Sequence, residues 1–350
     1  MLDKNDFVFS TAELHEYVRE MGFLPDQIDH HGLPIDHHFS LLIPKYYLDL
    51  IDWNDPKDPL ALMVIPHENE HVIFPDEIYD PIGDKRFQPV PGIVHRYFDR
   101  CLILLKQICP VHCRFCFRKE IMNETSGLLM PSLSYIASHP QIREVILSGG
   151  DPLMLTDHTI GVIIQKLAQI PHVKQIRFHT RTPAVYPKRV TPALAKLLRS
   201  EKSVIVVVHI NHPREITKTF KSHISLLKEQ GLLLLSQTVL LKGVNAEKAI
   251  LAELFTHLIE LGIKPYYLHH LDKAMGTNHF RISLDDGLKL YKSLRGSVSG
   301  VCIPEYVIDL PGGDGKIPAT WFTKQGNGVY EAINFRGKTV TYQDPAWRKE

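Results

Sequence analysis

The sequence predicts an α/β chain built on a parallel sheet. Short apolar runs recur from residue 101 onward, lie about 30 residues apart after the first gap, and are separated by amphipathic segments of helical period. Strands alternating with helices at that spacing mean βαβ units laid side by side. Six such units form either an open doubly wound sheet or a partial barrel, and periodicity does not choose between the two.

Taken in order, Thr11–Met21 reads as a short helix with Ser10 or Thr11 as its cap. A loop rich in histidine and proline follows, and then Phe39–Ile51 carries a helical apolar pattern. Proline and aspartate become frequent in Asn54-Asp55-Pro56, Asp58-Pro59 and Asp80-Pro81. Residues 1–90 therefore read as an irregular, partly helical N-terminal subdomain, silent about function. The strand runs are Leu102–Lys106, Glu144–Leu147, Gln175–Phe178, Val204–His209, Leu233–Val239 and Pro265–Leu268. The helical segments between them are Ser132–Ser138, Thr159–Ala168, Pro192–Leu198, Ile216–Gln230 and Ala246–Leu261. After about residue 285 the rhythm breaks. Gly300–Asp309 reads as an extended apolar segment, and Gly328–Tyr342 as a small hairpin around Phe335-Arg336-Gly337-Lys338. The expected division is 1–90, 91–285 and 286–350.

Composition sets the outer bounds. With 44% hydrophobic and 23% charged residues among 350, the chain is of ordinary globular type. A net charge of +1 makes no electrostatic case for nucleic acid or a membrane surface. The start MLDKNDFVFS lacks a basic stretch leading into an apolar core, so a secretory signal is not expected. The longest apolar runs, around Leu232–Leu241 and Val204–Ile210, are too short to span a bilayer. Few cysteines, mostly clustered, suit a reducing cytoplasm.

Chemistry is expected where residues follow the strand runs. Cys109, Cys113 and Cys116, spaced C-x3-C-x2-C, follow the first. Three thiolates that close can converge on one soft metal centre, and three without a fourth suggest a [4Fe–4S] cluster with one iron open. The alternative is a structural zinc site with a histidine such as His112 as fourth ligand. Cys101 and Cys302 sit singly in apolar runs and read as buried bystanders. Ser148-Gly149-Gly150-Asp151 follows the second strand, where glycines let the backbone approach a ligand. His179–Pro183 follows the third and His209–Pro213 the fourth. Gln237 lies near the end of the fifth, and His269–Asp272 follows the sixth. The loop Pro311-Gly312-Gly313-Asp314-Gly315-Lys316 does not fit a nucleotide-binding P-loop, because Ile317 follows the lysine and the spacing is short. Its glycines can deliver a lysine amine into a pocket, where a desolvated lysine suits covalent chemistry with a carbonyl. A solvated lysine on a surface turn is the plain alternative.

C-x3-C-x2-C followed by an aromatic resembles the radical S-adenosylmethionine enzymes. The segments CRFCFRKE, SGGDPL, HTRTP, NHPREIT, PYYLHHLD, HFR and DLPGGDGKIP, in order from about residue 90 to 320, resemble the lysine 2,3-aminomutase family within them. The resemblance implies a partial (β/α)6 barrel with a mainly helical N-terminal extension and a short C-terminal segment. It implies a [4Fe–4S] cluster on Cys109, Cys113 and Cys116, with S-adenosylmethionine met by Ser148, Gly149, Gly150 and Asp151. It implies pyridoxal phosphate on Lys316, contacted by Arg96, Arg100, Gln237 and Arg181. Arg118 matches the family's carboxylate-binding residue, and Asp272 and Asp309 match positions that hold the distal ammonium of lysine. The implied reaction moves the 2-amino group of L-lysine to C3 after a 5′-deoxyadenosyl radical takes hydrogen from C3. A reductant protein for the cluster and self-association into a homo-oligomer are implied as well.

The chain departs from the family at Asp314, where glycine is common. It also lacks a cysteine-rich tail, so no zinc is expected. A short chain is typical of the branch that makes (R)-β-lysine for elongation factor P, with the metabolic enzyme or another cationic amino acid as alternatives. A radical enzyme without pyridoxal phosphate and a non-catalytic zinc-binding protein are the remaining ones.

Overall fold

The computed structural model describes residues 3–24, 40–105, 108–121 and 127–346. Near the N-terminus β1 (Phe7–Val8) pairs antiparallel with β2 (Ile43–Pro44). Between them runs a helix over Thr11–Glu20. Its cap is Ser10, whose Oγ accepts the Glu13 N–H at 3.2 Å, and it buries Leu14 and Val18. The pattern at Phe39–Ile51 resolves differently from expectation. Phe39 lies outside the described residues, Ile43–Pro44 are extended in β2, and the helix covers only Lys45–Leu48. Pro44 is the reason: it offers no N–H to a preceding turn and stops a helix running through it.

The main body is one nine-stranded sheet. Its members are β3 (Ile93–Tyr97), β4 (Arg100–Leu104), β5 (Glu144–Ser148), β6 (Gln175–Thr180), β7 (Ser203–His209), β8 (Leu233–Val239), β9 (Lys264–His269), β10 (Glu305–Leu310) and β11 (Gly315–Pro318). They stand in reverse chain order from β11 to β3. β4 to β10 are parallel throughout, and β3 and β11 close the two edges antiparallel. The edges curl together. Arg96 on β3 donates to Asp309 on β10 at 3.3 Å, and the Lys316 N–H on β11 donates to the Tyr97 hydroxyl at 2.9 Å. The sheet is thus a nearly closed barrel rather than an open doubly wound one.

All six expected strands are present, although Lys106 lies outside the described residues. Helices Asp157–Ala168, Pro192–Leu197, Lys218–Glu229 and Lys248–Glu260 fall where the amphipathic pattern put them, and Leu129–Ala137 starts one turn early. β7 is buried almost along its whole length, as a strand covered on both faces should be. The Gly300–Asp309 run divides into a tight turn at Gly300–Cys302 and β10, which adds a seventh parallel strand beside β9. Residue 285 falls inside a helix, Leu284–Ser293, and the segment beyond supplies two strands to the same sheet. A three-stranded sheet of β12 (Thr323–Gly326), β13 (Val329–Ile333) and β14 (Thr339–Gln343) follows, its hairpin at the expected place.

The N-terminal region shares the barrel's core through Tyr47, Leu48, Trp53, Leu60 and Met63. It also grips the cysteine loop. The His112 N–H donates to the Leu42 carbonyl at 3.0 Å and the Arg114 N–H to the Met63 carbonyl at 2.9 Å. Arg114 forks onto Glu70 at 2.8 and 2.6 Å. No helix among the described residues is long and apolar enough to cross a membrane.

Candidate active site

The loop after β4 carries Cys109, Cys113 and Cys116 within one electrostatic neighbourhood. Burial pushes all three thiols up, Cys113 to about 11 although Arg181 pulls the other way, and neighbouring thiols add to the rise at Cys109. Thiols so placed give up their protons when a metal centre takes their place. No group of three or more His, Cys, Asp or Glu side chains among the described residues is spaced for a single ion. The His112 Nδ1 is 2.7 Å from the Ser40 carbonyl. Three thiols without a fourth donor suit a polynuclear cluster with an open iron. Cys101 and Cys302 are buried in the fold.

Beside this loop the ends of β5, β6 and β7 meet. Gly149 adopts φ +104° against the Leu104 side chain, a backbone state that favours glycine. Asp151 has partners within the chain. Its carboxylate accepts from the Thr180 hydroxyl at 2.7 Å, from the N–H groups of Arg181 and Thr182 at 2.7 and 2.9 Å, and from the Leu153 N–H at 3.0 Å. It therefore ties the loop after β5 to the end of β6. Arg181, expected as a phosphate contact, has partners within the chain. Its Nη2 donates to Glu215 at 3.0 Å and lies 3.4 Å from the Tyr47 hydroxyl, and its guanidinium is 5.3 Å from the Phe115 ring in the cysteine loop. It packs against the cysteine loop. Several buried polar atoms here have no partner: Arg181 Nε and Nη1, Thr182 Oγ1, His179 Nε2 and His209 Nε2. Such orphaned donors and acceptors fit a polar ligand like S-adenosylmethionine.

Lys316 leaves β11 with its ammonium 2.5 Å from Asp309 Oδ2 and 3.4 Å from His269 Nδ1. The Tyr267 ring centroid is 5.5 Å away. The glycine loop before Lys316 lies on the N-terminal region. Gly313 has φ +85°, and a Cβ there would come within 2.2 Å of the Phe87 ring. Arg96 pairs with Asp309 at 3.3 Å and with Asp84 at 3.1 Å. Arg100 is one-third exposed, pairs with Asp99 at 2.7 Å and stacks 4.0 Å from the Tyr97 ring, one residue removed from Lys316. Gln237 pairs in the ladder with His209 and Tyr267. Arg118 pairs with Asp84 at 2.9 Å, and its Nη1 lies 3.4 Å from the Ser148 hydroxyl. A lysine beside the Tyr267 ring, with Arg96 on the same aspartate, has the chemistry to hold a phosphorylated aldehyde cofactor.

The electrostatics centre on three carboxylates, Asp84, Asp272 and Asp309, facing Arg96, Arg118 and Lys316. Burial pushes Asp309 up, but Lys316 and Arg96 outweigh it and hold its carboxyl below the usual range. Burial and then the Asp309 charge push Asp272 up to about 7. Burial, with the Lys316 charge behind it, holds His269 well below the usual imidazole range, so it is neutral.

The structure thus gathers Arg96, Arg118, Asp272, Asp309 and Lys316 at one end of the barrel and the three cysteines beside them. Sequence reading missed Asp84, Glu70 and Tyr97, whereas His269 was marked by its place after the sixth strand run. Asp84 and Glu70 lie in aperiodic sequence and carried no signal.

Residues 99–200 match the family described as a 4Fe-4S single cluster domain. The chain is 39% identical over 313 residues to "L-lysine 2,3-aminomutase" of Clostridium subterminale, covering 87% of this chain and 75% of that protein. It is 39% identical over 285 residues to the Escherichia coli (strain K12) protein of the same name, covering 80% of this chain and 83% of that one. The Haemophilus influenzae protein of that name is 41% identical over 281 residues, 78% of this chain and 82% of its own. Among solved structures, a radical SAM methyltransferase from Sphaerobacter thermophilus superposes with a TM-score of 0.47 at 18% identity, over 62% of this chain and 68% of that one.

Proposed function

The chain belongs to the lysine 2,3-aminomutase family of radical S-adenosylmethionine enzymes, and on that premise we propose that it moves the 2-amino group of L-lysine to C3, giving β-lysine. The observation that carries the substrate is the ion pair of Lys316 with Asp309, beside a second buried carboxylate, Asp272. The protein's own lysine ammonium already sits where a substrate's distal ammonium would sit. Once Lys316 is committed to a cofactor, the two carboxylates lose that cation, and a buried unpaired charge is costly. A cationic side chain restores the balance, whereas an acidic one would worsen it.

Cys109, Cys113 and Cys116 would hold the cluster, and the polar atoms at the ends of β6 and β7 would meet S-adenosylmethionine. Lys316 would hold pyridoxal phosphate, with Arg96, Arg100 and Gln237 about it. The cluster with S-adenosylmethionine supplies a hydrogen-abstracting radical, and pyridoxal phosphate supplies the carrier for the migrating nitrogen. The chain's own part is placement. Arg118 binds the substrate carboxylate, and Asp272 and Asp309 fix the far ammonium, so C3 is held at one position. The nearly closed barrel keeps bulk water from the reacting carbon.

We keep the division into an N-terminal subdomain over 1–90, a barrel over 91–285 and a C-terminal lysine loop and tail over 286–350. We take the product to be (R)-β-lysine for modification of elongation factor P, on the resemblance to that branch. Reduction with borohydride, digestion and mass spectrometry tests the cofactor: a pyridoxyl group on the Lys316 peptide is expected. An unlabelled Lys316 would favour a radical enzyme without pyridoxal phosphate. Chiral analysis of the product tests the destination, since the (S) isomer would exclude the elongation factor P role.

A further inference from the structure

A guanidinium has two edges that can each pair with a carboxylate, the Nε–Nη2 side and the Nη1–Nη2 end. In Arg118 the side edge is taken. Nε and Nη2 both lie 2.9 Å from Asp84 Oδ2. The guanidinium stacks 4.4 Å from the Phe117 ring. Among the described residues Nη1 has only the Ser148 hydroxyl, at 3.4 Å, too long to hold it firmly. Arg118 therefore keeps its end edge for a ligand.

The other oxygen of Asp84 takes Arg96 Nη2 at 3.1 Å, and Arg96 Nη1 reaches Asp309 at 3.3 Å. Asp84 is buried, with 1% of its side chain exposed. Its backbone is held as firmly. The N–H groups of Asp84 and Lys85 donate to the Asp80 carboxylate at 2.9 Å each. Gly83, at φ +69°, packs on the Gly312 carbonyl carbon so closely that a Cβ would approach it to 2.8 Å. The loop that carries Asp84 is thereby fixed against the loop that carries Lys316.

We propose that Asp84 is a positioning residue for substrate recognition: it holds Arg118 by its side edge, so the free end meets the α-carboxylate at one angle, and through Arg96 and Asp309 it sets that angle relative to Lys316. This deepens the reading of Arg118 as the carboxylate-binding group and rests on it. An alternating line of charge, Arg118–Asp84–Arg96–Asp309–Lys316, joins the cysteine loop to the cofactor lysine. Asparagine at 84 keeps one acceptor but turns an amide N–H toward one of the two arginines.

The test compares L-lysine with 1,5-diaminopentane, which keeps both amines and lacks the carboxylate. Calorimetry on the reconstituted holoprotein reads the preference for lysine over the diamine. Asp84→Asn is expected to lower that preference about tenfold or more, Arg118→Lys to lower it similarly, and the double variant to lose no more than either alone. Should Asp84→Asn not fold, Asp84→Glu keeps the charge paired while shifting the oxygens by one methylene, and it too is expected to lose preference. Equal weakening of both ligands by the Asp84 variants, or effects that multiply with Arg118→Lys, would overturn the proposal. An Arg118→Lys variant with full preference overturns it by another route, because the carboxylate then binds elsewhere.

Discussion

Asp272 and Asp309 face the same cation, and only Asp309 is bonded to it. That asymmetry gives a pH dependence whose sign is fixed. Asp272, raised to about 7 by burial and by Asp309, is largely protonated below that pH and offers no charge to a substrate ammonium. Lysine affinity is expected to fall as pH drops through about 7, with KM rising and kcat less affected. Asp272→Asn is expected to remove this limb and to weaken lysine binding at every pH, and a KM flat from pH 6 to 8 in the unaltered protein would contradict the assignment. The same raised value makes ionised Asp272 a cost to the ligand-free fold, growing as pH rises from about 4 to 7 and relieved when a cation binds. At this scale the motifs that carry the family resemblance were informative: Arg118, Asp272, Asp309 and Lys316 lie within one another's electrostatic reach, the last two inside β10 and β11. What the sequence did not reveal is which partners a charged side chain takes. Asp151 turns to Thr180 and the next two backbone amides, and Arg181 to Glu215, because contacts between residues 29 and more apart leave no local pattern.

Two loops gain their shape from elements distant in sequence. The cysteine loop is clamped by the Glu70 fork on Arg114, both side chains buried. Removing one partner of such a pair leaves the other charge unpaired and costs several kcal/mol in comparable cases, about 3–5. Glu70→Gln is therefore expected to lower iron and sulfide content after anaerobic reconstitution, measured per protein chain, while leaving pyridoxal phosphate attachment intact. The Lys316 loop is shaped by Phe87 against Gly313. Gly313→Ala places a methyl group into that ring at a positive φ, so it is expected to loosen the loop and lower cofactor retention after gel filtration. Unchanged retention would mean that the loop's shape does not depend on this contact. The six inner strands were legible because two-sided burial writes continuous apolar runs. β3 was not, because it is a short edge strand with polar residues His95 and Arg96 inside it. β10 read only as part of the extended Gly300–Asp309 run, since a tight turn and a proline precede it.

At the scale of the molecule, one barrel brings two chemistries together: thiols in the loop after β4, a lysine amine on β11, and a line of charged residues that joins them. The N-terminal region, which read as irregular and silent, supplies Asp84 and Glu70 and shares the core, so the site is assembled from three stretches of chain. Pattern could not show this, since a segment packed by single ion pairs and prolines has no period. The central claim is that these stretches act as one aminomutase. An anaerobic product assay tests it most directly: iron–sulfide reconstitution, then pyridoxal phosphate, S-adenosylmethionine, dithionite and L-lysine, with derivatised products read by mass spectrometry. The account predicts β-lysine, abolished by Lys316→Ala and by Cys113→Ala separately. Cleavage of S-adenosylmethionine with lysine left untouched would contradict it, leaving the cysteine centre in place and removing the substrate role from Asp272 and Asp309.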